Sequence, residues 1–338
     1  MIRIPENKIF QLKQIVQDAT KIAIVSHTNP DGDTIGSALA MSYLLRKLDK
    51  KTSVIVPDEV PEFLTFLTGI NEIVNFSINP ELAVETLHQS DLLLCVDFNA
   101  THRTGKFSTH LDSFSGPKVM IDHHISPDEH YFDLLFSFVE SSSTSELIFH
   151  LIQQSGWENL IDKDIAQPLF VGIMTDTGSY AHSADRSEVF TSSARLIELG
   201  GLKVKEIHDL VYNNFKENRL RFLGFCISEK LVVIKTGLVA YIWVTKNEME
   251  RFSVNEGDLE GVVNYALSIA GVELAVLFKE KEEHIKLSFR SRKFFDVNKF
   301  ARAYFNGGGH LHAAGGKSFD SMELTIQKFT KLIEEIEL

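Results

Sequence analysis

Short apolar segments alternate with helical ones through the first half of the chain, and this alternation constrains the possible folds more than any other feature. The apolar runs typical of buried strands are residues 22–25, 53–56, 92–96 and 118–121. Helical spacing of apolar residues predicts helices at 5–20, 34–48, 82–88, 143–153 and 165–174. We therefore predict an α/β fold in which a mostly parallel sheet is flanked by helices.

The pattern changes in the second half of the chain. Residues 187–229 have the spacing of consecutive helices without strands. Further on, paired apolar runs predict two hairpins, 231–234 with 238–244 and 272–278 with 285–289. We therefore predict three parts, which are a first domain over 1–190, a helical connector over 191–229 and a smaller α+β domain over 230–338.

Composition and charge limit the class of protein. The 338 residues carry a formal net charge of −12, whereas proteins that bind long nucleic acids usually show a basic footprint. No apolar run approaches the roughly 20 residues that cross a bilayer, and the N-terminus lacks a signal-peptide profile. The two cysteines have no partner nearby in sequence, as in proteins of reducing compartments. We expect a cytoplasmic protein with no membrane partner, and a homodimer is possible.

A turn with three polar side chains follows the first predicted strand. His27, Asp31 and Asp33 form the pattern His-x-x-x-Asp-x-Asp directly before a predicted helix. An Asp-Gly turn with Asp33 capping the helix explains this pattern as well as a metal site does. The turn alone does not decide between the two interpretations.

Three further apolar segments end in acidic or imidazole side chains. Asp97 follows one predicted strand, Asp122-His123-His124 ends another, and Asp176 follows the apolar segment 170–175. Since parallel strands end at one edge of a sheet, these groups are expected to meet there. Carboxylates and imidazoles without thiolates favour Mn or Mg, with Fe or Co possible, over a structural zinc site. Their number exceeds the needs of one ion and indicates two-metal hydrolysis, most simply at phosphorus.

These motifs, in this order, resemble the DHH phosphoesterase superfamily. The run Gly307-Gly308-Gly309-His310-Leu311-His312-Ala313-Ala314-Gly315 is similar to the glycine-rich motif of the C-terminal domain associated with that family. The resemblance covers nearly the whole chain and is strongest to the bacterial nanoRNase/pAp phosphatase group. It implies that the first domain binds metal and catalyses, and that the second binds substrate.

The resemblance also implies roles for individual residues. His27 and Asp31 would bind one ion, and Asp97 would bridge to a second ion, with Mn as the preferred metal. His124 would face the scissile phosphate, with Asp122 orienting an imidazole. The second ion would be held by Asp33, His123 and Asp176.

Substrate-binding candidates lie mainly in the predicted second domain. Consecutive glycines can turn their amides inward to form an anion-binding nest, so Gly308, Gly309 and His310 are predicted to contact phosphate. The family uses an arginine in a segment similar to Ser288-Phe289-Arg290-Ser291, which makes Arg290 and Ser291 candidates. In the first domain, Arg103 lies six residues after Asp97 and is the remaining candidate.

The group that the chain resembles trims very short oligoribonucleotides to mononucleotides and removes the 3′-phosphate from 3′-phosphoadenosine 5′-phosphate (pAp). We therefore expect short RNA, dinucleotides and nucleoside 3′,5′-bisphosphates as substrates. Alternatives with the same chemistry are a linear or cyclic dinucleotide phosphodiesterase, a pyrophosphatase or exopolyphosphatase, and a RecJ-like exonuclease. A non-catalytic nucleotide sensor is the alternative from another class.

Overall fold

The computed structural model describes residues 2–182, 184–293 and 295–336. The chain divides into two compact units, Met1–Asn214 and Phe215–Leu338, and each contains its own six-stranded sheet. None of the described helices is long and apolar enough to cross a membrane. Both cysteines are buried free thiols.

The sheet of the first unit is entirely parallel, as the alternation predicts. Its strands are β1 (Lys21–Val25), β2 (Lys51–Val56), β3 (Val74–Asn75), β4 (Leu92–Val96), β5 (Lys118–Asp122) and β6 (Leu134–Ser137). They lie in the order β3-β2-β1-β4-β5-β6. This doubly wound order reverses between β1 and β4, and open α/β sheets bind their ligands at the carboxyl ends of such a pair.

Helices cover both faces of this sheet, which explains why its central strands are apolar throughout. Six helices pack on one face and two on the other. The larger layer contains α1 (Glu6–Asp18), α2 (Gly32–Lys47), α5 (Thr144–Gln154), α6 (Lys163–Asp176), α7 (Ser187–Gly200) and α8 (Val204–Tyr212). The smaller layer contains α3 (Pro80–His88) and α4 (Ser108–Asp112).

Helices α2 and α6 pack closely because small residues face each other between them. A Cβ on Gly36 would lie 2.4 Å from the carbonyl oxygen of Pro168. Glycine at this position therefore lets α2 approach α6, and this contact brings the start of α2 near the end of α6.

The second unit is built on a mixed sheet with the strand order β11-β12-β10-β9-β8-β7. Its strands are β7 (Leu231–Ile234), β8 (Val239–Val244), β9 (Leu274–Glu280), β10 (Ile285–Ser291), β11 (Gly308–Gly309) and β12 (Ala313–Ser318). Both predicted hairpins, β7–β8 and β9–β10, are antiparallel pairs. The parallel pair is β8–β9. The helices are α9 (Glu217–Glu229), α10 (Lys246–Arg251), α11 (Val262–Leu267), α12 (Val297–Tyr304) and α13 (Met322–Glu335).

The helical stretch between the domains does not form a separate connector. Helices α7 and α8 contribute Leu196, Ile207 and Val211 to the core of the first unit. Helix α9 contributes Phe222 and Cys226 to a core of the second unit. The boundary therefore falls after Asn214, within the predicted connector 191–229, because the amphipathic helices on either side bury their apolar faces in different cores.

Candidate metal centre

The turn after β1 is both a helix cap and a cluster of ligand-type side chains. Asp31 precedes the first residue of α2, and its Oδ1 accepts the amides of Asp33 and Thr34 at 3.0 and 2.9 Å. Asp31 rather than Asp33 is therefore the capping residue, and α2 begins two residues earlier than the sequence pattern predicts. His27 is buried, with Nε2 3.3 Å from Oδ2 of Asp97.

Asp33 is held by the amino end of a different helix. Its Oδ2 accepts the amide of Thr144 at 2.7 Å, and its Oδ1 accepts the amide of Ser145 at 2.8 Å. These are among the first amides of α5, which have no partner within their own helix. Asp33 is only 1% exposed, so the helix terminus supplies the compensation that a buried carboxylate requires.

Asp97 lies at the centre of the cluster. It directly follows β4 and has a φ of 64°, a left-handed conformation that Asp tolerates better than most residues and that often marks functional sites. Its Oδ2 accepts the hydroxyl of Thr34 at 2.8 Å, and its Oδ1 accepts the hydroxyl of Thr144 at 3.0 Å. The carboxylate is therefore fixed from two sides.

The two adjacent histidines at the end of β5 have different neighbours. His123 Nε2 lies 3.6 Å from Asp176 Oδ2 and 3.8 Å from Asp97 Oδ1. His124 Nδ1 lies 2.7 Å from Oδ1 of the fully buried Asp122. The carboxylate of Asp122 therefore orients His124, while the Nδ1 of His123 lies 3.2 Å from the carbonyl oxygen of Ser141.

The structure brings all six predicted ligands together at one edge of the sheet. Asp176, in the last turn of α6, completes the arrangement. Among the residues that the structure describes, three groups have ligand atoms within 4.8 Å of one another, and these are His27-Asp31-Asp97, Asp33-His123-Asp176 and Asp97-His123-His124. The first two correspond to the two ion sites that the resemblance implies. Oxygen and imidazole donors without thiolate suit Mn or Mg, so the donor set fits two divalent cations.

The ionisable side chains of the cluster shift one another's pKa values. Burial, together with repulsion from Asp97 and Asp176, raises the pKa of Asp33 well above its usual value. Burial and repulsion from Asp31 raise the pKa of Asp176 to about 7, although His123 opposes this change. Burial disfavours the charged form of Asp97 too, but the nearby histidines outweigh it and lower that pKa. A divalent cation would relieve these repulsions directly.

We expect Mn²⁺ affinity to rise with pH between about 6 and 9. Burial opposes protonation of His123, but Asp176 and Asp97 outweigh it and raise its pKa to about 9. A ligating imidazole must be neutral and a ligating carboxylate ionised, so protons must leave His123 and Asp176 when the ion binds. Calorimetric titrations in buffers of different ionisation enthalpy measure this release. A Mn²⁺ affinity independent of pH over this range would contradict the assignment.

Two threonines that contact the cluster are not predicted as functional residues from the sequence. The Thr34 hydroxyl lies 2.8 Å from His27 Nε2 and 2.9 Å from Asp31 Oδ1, in addition to its bond with Asp97. Ser143 caps α5 by accepting the amide of Glu146, whereas the Thr144 hydroxyl donates to Asp97 Oδ1. A hydroxyl at a helix start is so common that no sequence signal distinguishes these two roles.

Arg103 lies beside the cluster. Its carbonyl oxygen accepts both the amide and the hydroxyl of Thr28, at 2.9 and 3.0 Å. The side chain is half-buried, and its positive charge acts to lower the pKa of His27. Arg103 therefore lies near His27 of the cluster, and its role in binding substrate stays a prediction.

The predicted phosphate-binding residues of the second unit lie on neighbouring elements of that unit. Arg290 and Ser291 end β10, and Nη1 of Arg290 donates to the carbonyl oxygen of Phe289 at 3.0 Å. The Ser291 hydroxyl lies 2.6 Å from the carbonyl oxygen of Phe295 and 3.1 Å from His312 Nδ1. His312 was assigned no role from the sequence, and this contact places it beside a candidate residue.

The glycine run forms a hairpin and not the expected anion-binding nest. Gly308 and Gly309 pair with β12, and of the three glycines only Gly309 has a positive φ, 150°. The amide of Gly309 donates to Asn298 Oδ1 at 3.1 Å, and that of His310 donates to the carbonyl oxygen of Ala313 at 2.7 Å. A Cβ on Gly307 would lie 2.0 Å from the carbonyl oxygen of Gly315. Close backbone packing therefore explains the glycine there.

Comparisons with known proteins identify the family to which both units are similar. Residues 21–173 match the model of the DHH family, N-terminal domain, and residues 235–337 match that of the DHHA1 domain. The chain is 26% identical to the bifunctional oligoribonuclease and PAP phosphatase NrnA of Bacillus subtilis, over 94% of this chain and 96% of NrnA. It is also 26% identical to the cyclic-di-AMP phosphodiesterase GdpP of that organism, over 96% of this chain and 49% of GdpP. The crystal structure of an exopolyphosphatase-related protein from Bacteroides fragilis has a TM-score of 0.94 at 36% identity, covering 99% of this chain and 98% of that one.

Proposed function

The chain belongs to the DHH family of phosphoesterases and carries a DHHA1 domain, and from this premise we propose that it hydrolyses short oligoribonucleotides to 5′-mononucleotides. We propose that it also converts 3′-phosphoadenosine 5′-phosphate to AMP and phosphate. The observation that carries the proposal is that Asp97, a member of the His27-Asp31-Asp97 group, lies 3.8 Å from His123 of the Asp33-His123-Asp176 group, in a chain whose similarity to NrnA extends over nearly its full length. Substrates of this kind imply a cytoplasmic location.

The proposed roles follow from the contacts of each side chain. The groups around His27 and His123 would hold two divalent ions, preferably Mn, which would supply Lewis acidity for hydrolysis at phosphorus. Asp97 joins the two groups and is held in place by Thr34 and Thr144. Asp122 orients the His124 ring, which in our proposal faces the scissile phosphate and helps to protonate the leaving oxygen.

Candidate substrate-binding residues are proposed in each unit. In the first unit, Arg103 is the candidate for contact with a phosphate. In the second unit, Arg290 offers a permanently charged, bidentate donor. Ser291 and the hairpin residues Gly308, Gly309 and His310 complete the proposed set, although the amides of Gly309 and His310 already have acceptors. A direct role for these two amides requires that they exchange partners.

A panel of substrates tests the proposal. The purified chain with Mn²⁺ is offered an RNA dinucleotide, pAp, cyclic di-AMP, polyphosphate and a 24-mer DNA, with release of nucleotide or phosphate as the readout. We expect the dinucleotide and pAp to be hydrolysed with the highest kcat/KM. The 24-mer is expected to be a poor substrate because the net charge of −12 disfavours a long polyanion. A preference for the 24-mer would contradict the proposed substrate class.

Two alternatives have specific support and are resolved by the same panel. Similarity to GdpP favours a cyclic dinucleotide as substrate, and similarity to the exopolyphosphatase-related protein favours polyphosphate. The highest kcat/KM for cyclic di-AMP or for polyphosphate would replace our proposal with the corresponding one. Tight binding of a dinucleotide without any product would instead indicate a nucleotide sensor.

A further inference from the structure

One buried carboxylate near the metal cluster belongs to none of its ligand groups. Glu146, in the first turn of α5, is completely buried. Its Oε2 accepts the amide of Ser142 at 2.7 Å, the hydroxyl of Ser141 at 3.3 Å and Nη2 of Arg186 at 2.8 Å. Its Oε1 lies 3.4 Å from His150 Nε2. A buried charge with this many donors on one oxygen holds those donors in a defined geometry.

The segment that Glu146 holds, residues 141–145, is also the segment that contacts the predicted ligands. The carbonyl oxygen of Ser141 lies 3.2 Å from Nδ1 of His123. The amides of Thr144 and Ser145 donate to Asp33 at 2.7 and 2.8 Å. Residues adjacent to Glu146 along the chain therefore position two ligands of the same group, Asp33-His123-Asp176.

The contact at Ser141 also determines which nitrogen of His123 can bind a metal. A carbonyl oxygen accepts only, so the Nδ1 of His123 must carry the proton and donate. The Nε2, which faces Asp97 and Asp176 at 3.8 and 3.6 Å, then presents its lone pair to the cluster. Such partners orient a ligand without touching the metal, and their removal typically lowers metal affinity 10- to 100-fold.

We propose that Glu146, held by Arg186, is a positioning residue that sets the cation affinity of the Asp33-His123-Asp176 group. The proposal rests on the metal-binding part of the proposed function and not on the identity of the substrate. Among the described contacts, none joins Glu146 or residues 141–145 to His27 or Asp31, and the contact of this segment with the other group is the Thr144 hydroxyl, which donates to Asp97 Oδ1 at 3.0 Å. The effect is therefore expected to be much larger at the Asp33-His123-Asp176 site than at the site of His27 and Asp31.

The charge of Glu146 is available for this role at neutral pH. Burial opposes ionisation, but the neighbouring His150 ring, the hydrogen bonds from Ser142 and the positive charge of Arg186 lower its pKa to about 2. Replacement by glutamine keeps the shape but removes the ion pair with Arg186 and gives one position a donor where an acceptor is needed. The geometry of residues 141–145 should relax as a result.

Mn²⁺ titration of the full chain, followed by electron paramagnetic resonance of the free ion, tests this inference without substrate. Wild-type protein is expected to bind two ions. In Glu146→Gln we expect the affinity of one site to fall about 10- to 100-fold, with the other site within about threefold of wild type. Arg186→Met should weaken the same site to a smaller extent, and Arg186→Lys should restore part of the loss.

Another Glu–Arg pair of the first unit provides the matched control. Nε of Arg195 lies 3.1 Å from Oε1 of Glu158. The described hydrogen bonds of these two side chains reach none of the six predicted ligands. Glu158→Gln and Arg195→Met should leave both Mn²⁺ affinities unchanged. Thermal unfolding in EDTA measures the purely structural cost of each variant.

The results of these titrations and unfolding measurements distinguish a positioning role of Glu146 and Arg186 from a purely structural one. Wild-type Mn²⁺ affinity in Glu146→Gln and Arg186→Met, with only a lower Tm in EDTA, would overturn the inference in favour of a structural role. Equal weakening of both ion sites would also overturn it. If Glu146→Gln does not fold, the half-exposed Arg186 (32%) still provides the comparison. Failure to hydrolyse any short RNA would contradict the proposed substrate and leave the Mn²⁺ result standing.

Discussion

Asp97→Asn is expected to reduce hydrolysis of an RNA dinucleotide about 1,000-fold or more while leaving the fold in place. Asp97 belongs to the His27-Asp31-Asp97 group, and its Oδ1 lies 3.8 Å from Nε2 of His123 in the other proposed ion site, so its loss is expected to affect both sites. Metal ions contribute several kcal/mol to stabilising the transition state of such reactions, and roughly 4 kcal/mol corresponds to this factor. Steady-state kcat with saturating Mn²⁺, and circular dichroism in EDTA, measure the two effects.

The same strand supplies a matched control. Asp91 precedes β4 at the opposite edge of the sheet, where its carboxylate accepts the amides of Thr20 and Lys21 at 2.9 to 3.0 Å. Asparagine keeps an acceptor at that position, so Asp91→Asn should retain nearly wild-type turnover. Near-normal turnover in Asp97→Asn would remove Asp97 from the centre of the proposed mechanism.

Gly172→Ala is expected to lower kcat about 100-fold without changing any ionisable group. A Cβ at this position of α6 would lie 2.0 Å from the Ser145 hydroxyl oxygen and 2.8 Å from Asp33 Oδ1. Both atoms must move, and a displacement of about 1 Å in an active site can cost this factor. Overpacking of this kind costs about 1–3 kcal/mol of stability, partly offset by roughly 1 kcal/mol from helix propensity. Turnover and urea denaturation measure the two effects.

Gly224→Ala is the control for this substitution. Gly224 lies in α9, and nothing lies within 4 Å of a Cβ built there. Alanine should stabilise the second unit by about 0.4–1 kcal/mol and leave turnover unchanged. Wild-type activity in Gly172→Ala would show that the end of α6 and Asp33 need not approach each other as closely as the structure has them.

The parallel sheet and the family were predictable from the sequence, while several details of the second unit were not. Apolar runs such as residues 92–96 indicate buried strands because both faces of the sheet are covered. Strand β12 carries the sequence Ala313–Ser318, in which two glycines obscure any strand signal. Its pairing with β10 supplies the hydrogen bonds that its side chains do not predict. The glycine run before it was assigned an anion-binding nest for the same reason, since conformational freedom and close backbone packing favour the same residue.

The kinds of ligand and their approximate place were determined by the sequence itself. His27, Asp97 and His123 each follow an apolar strand, and parallel strands end at one edge for reasons of topology alone. Which atoms meet there was decided only by the tertiary structure. The amides of Thr144 and Ser145 reach Asp33 from more than 100 positions away in the chain, because glycines at the α2–α6 contact permit an approach that no local pattern encodes.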